Sequence, residues 1–176
     1  MKIYYWCPFL TNIATIKSVL RSAKSIFKNN KHKNIYEVTL LNSSGEWDFQ
    51  KKISNKIKIK DLYPFSFYKF LPKEGFIQSR ISFLIIFLIN FFPLMFKIKK
   101  EKPKYLIVHL LTILPIILSP LISKNTKIIL RISGLPKLTI IRILIWKLFS
   151  NHIYKITAPT QKTLEVLKKS KIFEQD

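Results

Sequence analysis

The sequence predicts an α/β domain, Rossmann-like and doubly wound, with a mainly parallel sheet and helices on both faces. Three observations carry that expectation. Between Tyr105 and Pro136, two continuous aliphatic runs each end in polar groups, His109 with Thr112 in the first and Arg131 with Ser133 and Gly134 in the second. Parallel strands buried on both faces read this way, and ligands bind at their carboxyl ends. An apolar, proline-punctuated helix separates the two runs, and a strand, helix, strand succession occupies the first forty or so residues. A chain of 176 residues is long enough for one sizeable core and needs no second one.

Taken in order, residues 2 to 7 form a short aromatic strand that Pro8 stops. Ile13, Ile16, Leu20, Ala23 and Phe27 then follow helical spacing as far as about Lys28, with Thr11 or Asn12 as N-cap. Free backbone N–H groups at that helix start can hold an anion or sugar hydroxyls. A basic connector, 29 to 34, leads into a second strand, Tyr36 to Leu41, and the turn Asn42-Ser43-Ser44-Gly45. Lys51 to Lys60 alternates isoleucine with lysine, which predicts a strand with one wet face, and the aromatic Tyr63 to Pro72 reads as an ordered loop.

A long helix is expected from about Phe76 to Ile98, kinked or ended early by Pro93. Its apolar stripe is Ile77, Ile81, Leu84, Ile85 and Leu88, yet Phe83, Ile86, Phe87 and Leu94 leave hardly any polar face, so it needs cover nearly all round. One side can pack on the sheet; the other calls for a partner domain or a lipid interface, with Arg80, Lys97, Lys99 and Lys100 snorkelling at its ends. Beyond Pro136, a helix from about Leu138 to Phe149 is expected to turn Ile141, Leu144, Ile145 and Leu148 inward. A strand, Ile153 to Thr157, and a helix, Gln161 to Ser170, capped by Thr160 with Leu164 and Leu167 inward, complete the order.

The formal charge of +22 invites an acidic partner, but of the 31 basic residues only Arg21, Arg80, Arg131 and Arg142 are arginine. Arginine is the usual base reader, so its scarcity argues against specific nucleic-acid recognition. An anionic membrane surface attracts scattered lysines equally well. Cys7, the single cysteine, excludes an internal disulfide and reads as a small buried hydrophobe in a reducing compartment. Sixteen uncharged residues separate Arg80 from Lys97, and nineteen separate Lys104 from Lys124, both near the lower limit for spanning. Asn90 and Pro93 in one, and His109, Thr112, Pro115, Ser119 and Pro120 in the other, are awkward in lipid. A small basic membrane-embedded protein with a hydrophobic hairpin at 81–122, not an enzyme, is the alternative reading. The amino terminus does not read as a signal peptide, because its apolar run breaks at Pro8.

The strand ends of such a sheet share one rim, so residues 8 to 15, 42 to 48, 109 to 112, 131 to 136 and 157 to 160 are expected to converge. His109 can bond a sugar hydroxyl or stabilise charge, or be a structural histidine capped by a carbonyl. Arg131 closes an aliphatic strand, where a guanidinium demands an anion or an acidic partner. Ser133 and Gly134 offer backbone groups in a small turn, and Glu46 with Asp48 can hold sugar hydroxyls beside Trp47. His32, His109, His152 and Cys7 show no metal-ligand spacing, no Ser, His, Asp arrangement stands out, and with only Gly45, Gly75 and Gly134 there is no glycine-rich phosphate fingerprint.

The succession of Pro8 to Thr15 with Ile16-Lys17-Ser18-Val19, Gly45-Glu46-Trp47-Asp48, Val108-His109-Leu110-Leu111-Thr112, Leu130-Arg131-Ile132-Ser133-Gly134-Leu135-Pro136 and Ile156-Thr157-Ala158-Pro159-Thr160 resembles the amino-terminal domain of family 4 glycosyltransferases. The similarity is greatest to those that build bacterial surface polysaccharides; it covers nearly the whole chain and rests on the order of the motifs. It implies the GT-B architecture of two facing Rossmann-like domains, retention of anomeric configuration, and no metal or other cofactor. Residues 1–176 correspond to the acceptor-side domain. The carboxyl-terminal domain, which holds the nucleotide sugar and a pair of glutamates, is expected outside this stretch, and the fragment alone is expected to be inactive.

On this resemblance His109 is assigned to positioning or charge stabilisation, and Asn12, Thr15, Glu46, Arg131, Ser133, Gly134 and Thr160 to substrate binding. The family's Gly-Gly pair in the first loop is replaced by Leu10-Thr11-Asn12, so that loop is not expected to touch a diphosphate directly. The implied activity is hexosyl transfer to a lipid-linked or glycan acceptor, by a protein lying peripherally on the anionic inner face of the cytoplasmic membrane.

Overall fold

A computed structural model describes residues 1–11, 14–28, 36–49, 56–134, 138–170 and 172. Within them lie the strands β1 (Lys2–Trp6), β2 (Glu37–Asn42), β3 (Ile57–Asp61), β4 (Tyr105–Val108), β5 (Lys127–Arg131) and β6 (Ile153–Thr157). The helices are α1 (Ala14–Lys28), α2 (Phe76–Glu101), α3 (Ile113–Ile122), α4 (Ile140–Phe149) and α5 (Gln161–Lys169). All strand pairs are parallel, in the order β3-β2-β1-β4-β5-β6, so the chain winds outward from β1 to one edge and then from β4 to the other. This is the Rossmann-like α/β arrangement that the aliphatic runs predict. The switch point falls between β1 and β4.

The two-residue period of a strand splits β1 between two cores. Ile3 and Tyr5, with Val38 and Leu40 of β2, meet Ile16, Val19 and Ala23 of α1. Burying such side chains contributes roughly 2 kcal/mol each, which holds a helix that would be marginal by itself. Tyr4 and Trp6 point the other way and join Leu106, Val108, Ile128, Leu130 and Ile153 beneath α2, α3, Trp146 of α4 and Leu167 of α5. The sheet is therefore covered unequally: on the α1 side, Ile129 is half-buried and Tyr154 exposed. Lysines mark both edges, Lys58 and Lys60 on β3 and Lys155 on β6.

The 26-residue α2 runs through Pro93 without ending, contrary to expectation. Proline at this position removes the donor for the Ile89 carbonyl. The Tyr63 hydroxyl supplies a replacement by donating to that carbonyl. The buried side of α2 also differs from the expected stripe. It is Ser82, Ile86, Asn90, Leu94 and Ile98 at four-residue spacing, with Met95 beside them, and it includes two polar residues. Ser82 donates to the Pro72 carbonyl and the Asn90 amide N–H to the Ile86 carbonyl, while the buried Asn90 Oδ1 has no hydrogen-bond partner among the described residues. Ile77, Ile81, Leu84 and Leu88 face outward, Ile77 at 71 % exposure. At its end, Glu101 accepts from Lys60 at 2.6 Å, from Lys97 at 3.2 Å and from the Tyr4 hydroxyl, tying α2 to the β3 edge.

α4 shows the same inversion. Its expected inward stripe lies outside, with Ile141, Leu144 and Leu148 exposed and Leu148 at 73 %, while Trp146 is the buried residue and Ile145 is half-buried. Both helices are apolar all round, so periodicity alone gives no contrast between two candidate faces. By length and composition α2 could also cross a membrane, yet a third of its most apolar window is buried in the fold. The stretch 81–122 is α2, β4 and α3, with β4 hydrogen-bonded on both sides in the sheet, rather than a helical hairpin. The expected loop Tyr63 to Pro72 contains only a short 3-10 turn, Tyr68–Phe70. Expectations placed on Asn12, on 29 to 34 and on 51 to 55 fall outside the described residues.

Candidate functional site

At the carboxyl rim, the His109 N–H donates to the Trp6 carbonyl at 2.8 Å and carries the β1–β4 pairing one residue further. Leu110 then takes φ 58°, a left-handed conformation that costs a non-glycine residue about 1 kcal/mol. Its carbonyl accepts from Thr112 N–H at 2.7 Å, closing a tight reversal that sends the chain into α3. The reversal puts the His109 ring under the rim instead of in solvent.

Three contiguous lobes form a cleft there. The first, about 420 Å³, sets Thr15 and Ser18 of α1, His109, Arg131, Ser133 and Thr157 among Ala14, Ile132, Ala158 and Pro159 and is the more polar end of the cleft. The second, about 520 Å³, shares Arg131, Ile132 and Ser133 with it and adds Gly134, Arg80, Arg142 and Trp146. The third, about 470 Å³, shares Arg80, Leu110, Ile113 and Arg142 with the second, and Phe83, Leu84, Phe87 and Leu111 make it apolar. The cleft thus grades from hydroxyls and imidazole, through guanidinium groups, to hydrocarbon.

His109 is only 1 % exposed, stacks on Tyr5 with ring centroids 6.2 Å apart, and neither ring nitrogen has a hydrogen-bond partner among the described residues. Burial, followed by the neighbouring Arg131 charge, pushes its pKa down to about 3, so the imidazole is neutral at pH 7. It therefore carries one donor and one acceptor, both buried beneath the rim, and the positive charge of the site rests on Arg131. That guanidinium is half-buried, sits 3.5 Å from the Ser18 hydroxyl, and has no carboxylate partner among the described residues. A buried imidazole without a hydrogen-bond partner beside a guanidinium that meets a hydroxyl but no carboxylate leaves polar capacity that a hydroxyl-rich anion would satisfy.

Of the predicted site residues, Thr15, His109, Arg131 and Ser133 converge in the polar lobe, and Gly134 borders the middle one. A Cβ on Gly134 would meet nothing within 4 Å, so glycine there is not required by packing. Thr160 does not line the cleft: its Oγ1 accepts from Thr163 N–H at 3.3 Å as the N-cap of α5. Asn12 lies outside the described residues.

Glu46 is turned the other way, a correction to its expected place in a sugar site. Its carboxylate is buried and accepts from Ser43 N–H at 3.1 Å, Ser43 Oγ at 2.6 Å, Ser44 N–H at 2.7 Å and Ser44 Oγ at 2.8 Å. Burial raises its pKa against those hydrogen bonds. Trp47 is likewise internal, edge-on to Phe9 with centroids 4.9 Å apart, so it offers no stacking platform. The turn depends on Gly45 at φ 101°, where a Cβ would come within 1.8 Å of Ser66 Oγ. Asn42 completes the hub by donating to Asp48 and Asp61 and accepting from the Gly45 and Trp47 N–H groups. A separate small cavity of about 100 Å³ borders this hub and not the cleft.

Sequence reasoning missed Ser18, Arg80 and Arg142 as cleft residues, whereas Thr157 falls in the stretch 157 to 160 expected at the rim. Ser18 follows Thr15 at helical i, i+3 spacing, a signal that was legible; Arg80 and Arg142 reach the rim only because α2 and α4 both start there. Among the described residues no group of three or more His, Cys, Asp or Glu is placed to hold a metal ion. A scan against protein-family models finds no match, and a search of curated proteins finds none either.

Proposed function

We propose that this chain is the acceptor-binding half of a retaining, hexosyltransferase-type glycosyltransferase in surface polysaccharide synthesis, of GT-B architecture. The observation that carries the reading is the meeting of Thr15, Ser18, His109, Arg131 and Ser133 in one open lobe at the carboxyl ends of β1, β4 and β5. Hydroxyls, a neutral donor–acceptor imidazole and one guanidinium suit a sugar with charge nearby. Retaining transfer needs charge stabilisation and positioning more than a strong base, and an imidazole held neutral fits positioning. The nucleotide sugar, as co-substrate, belongs to a carboxyl-terminal domain facing the cleft, and the reading invokes no metal or other cofactor.

Peripheral placement at the cytoplasmic face of the cytoplasmic membrane is part of the same proposal. Its support is the outward apolar ridge of α2 and α4, bracketed by Arg80, Lys99, Lys100 and Lys147, on a chain of net charge +22. A carbonate wash should release the chain from membranes; retention in the pellet would favour the embedded, non-enzymatic reading instead.

The decisive experiment joins the chain to a nucleotide-sugar-binding domain encoded next to it, and follows label from a panel of nucleotide sugars into lipid and glycan acceptors. Incorporation that Arg131→Ala abolishes supports the proposal. Failure to find such a domain in the gene or its neighbours, or failure of all donors with it, overturns the proposal.

A further inference from the structure

We infer that the open floor of the sheet over β4, β5 and β6, on the α1 side, seats an acidic amphipathic helix of a second polypeptide. A parallel sheet is ordinarily covered on both faces, and here only one face is complete. On the α1 side, α1 packs on β1 and β2, and no other described helix joins that core. The strands β4, β5 and β6 therefore carry an apolar floor with no described helix above it. Register aligns Tyr105 with Lys127 and Ile107 with Ile129 on this floor, and the Tyr154 ring of β6 lies 6.2 Å from that of Tyr105. Tyr105, Ile107 and Ile129 are half-buried, and Tyr154 is 47 % exposed. Three strands are two spacings of about 4.8 Å wide, close to the ~10 Å diameter of one helix.

What covers the floor follows from its charge and its depth. Lys104 Nζ stands 5.9 Å from the Tyr105 ring centroid and Lys127 Nζ 4.1 Å from that of Tyr154, so both ammonium groups lie across the aromatic floor. Lys155 pairs in register with Ile129 beside them. All three lysines are exposed, and none forms an ion pair among the described residues. Carboxylates flanking an apolar helix face would meet these cations as the helix lay down on the tyrosines and isoleucines. A second copy of this chain is the wrong partner. Its α1, α3 and α4 carry no acidic residue, Glu101 of α2 is held by Lys60 and Lys97, and α5 has Glu165 alone. A flat bilayer is excluded by shape, since α1 stands about 10 Å above the same face and holds a membrane off the floor. The floor shares no residue with the cleft, so the inference is independent of the transferase reading.

Fluorescence anisotropy at physiological salt tests this on the 176-residue chain, with a labelled helical peptide that carries leucine on one face and glutamate on the other. The peptide should bind about ten-fold more tightly than one of the same composition in shuffled order, and a leucine–lysine counterpart should not bind. Tyr154→Asp and Lys127→Glu should each weaken the ordered peptide about ten-fold; both side chains are exposed, so the variants fold. Binding to the unsubstituted chain should shift the ring proton signals of Tyr105 and Tyr154. Leu144→Asp, on the outward face of α4, should leave the affinity unchanged. Equal affinity for ordered and shuffled peptides, affinity that survives both substitutions on the floor, or a loss in Leu144→Asp overturns the inference. So does a dimer of the chain that Tyr154→Asp dissolves, or tyrosine signals that phosphatidylglycerol vesicles shift and the peptide does not.

Discussion

The Tyr63 hydroxyl donates to the Ile89 carbonyl, the acceptor that Pro93 deprives of its helical partner. A residue outside α2 thus completes the hydrogen-bonding of α2. Tyr63→Phe should cost about 1 kcal/mol of stability in urea unfolding. In a Pro93→Ala background, where residue 93 regains its own N–H, the same change should cost less than half as much. Equal costs in the two backgrounds would rule out the proposed pairing.

His109 should stay neutral across the physiological range. Its imidazole proton signal, assigned by its loss in His109→Asn, should not shift between pH 8 and pH 5. An unfolded histidine takes up its proton near 6.5, whereas the folded one does so near 3. Between those values the unfolded state binds more protons, so stability falls as pH falls, by up to about 1.4 kcal/mol per unit. The urea midpoint of the wild type should therefore drop between pH 7 and pH 5 by more than that of His109→Asn; parallel drops would contradict the buried, neutral imidazole.

Glu101 works in the opposite sense. Burial alone would raise its pKa, but hydrogen bonds from Lys60, Tyr4 and Lys97 bring it down to about 2. The stabilisation is complete above the ordinary carboxyl value of 4.5 and is lost as pH falls through about 2. Glu101→Gln should cost about 1–2 kcal/mol at pH 7. The gap should close on acidification below pH 4.5, and a gap independent of pH would show that packing, not the ion pair, is responsible.

The outward faces of α2 and α4 separate folding from membrane contact. Leu144→Asp and Leu148→Lys should change stability by less than about 0.5 kcal/mol. Trp146→Ala, at 2 % exposure, should cost about 3–5 kcal/mol. The first two should also reduce flotation with anionic vesicles. Loss of folding in Leu148→Lys would place that face in the core after all.

Much of the fold was legible because strand burial leaves a simple trace. The runs ending at His109 and Arg131 are aliphatic until one polar residue interrupts them, and both interruptions fall at the cleft. Glu46 was not legible, because whether a polar turn faces outward depends on backbone geometry. Gly45 in the left-handed region folds Glu46 back onto Ser43 and Ser44, which four residue names do not reveal. The faces of α4 were hidden for another reason: with Ile140, Ile141, Ile143, Leu144, Ile145, Trp146, Leu148 and Phe149 all apolar, two stripes fit the period equally well. Arg80 and Arg142 needed topology, since only the shared rim of α2 and α4 brings them together.

The lysines at the sheet edges bear on how copies of this protein meet one another. Open edges of β3 and β6 are templates for strand addition, and the fold closes neither with a seventh strand among the described residues. Lys58 and Lys60 on β3 are held by Glu37 at 3.2 Å and Glu101 at 2.6 Å, and Lys155 stands on β6, so a strand added at either edge meets charged side chains. Seen from this side, the charge of +22 is a device against self-assembly as much as an attraction to anionic surfaces, and salt that screens it would bring fibre-like pairing within reach.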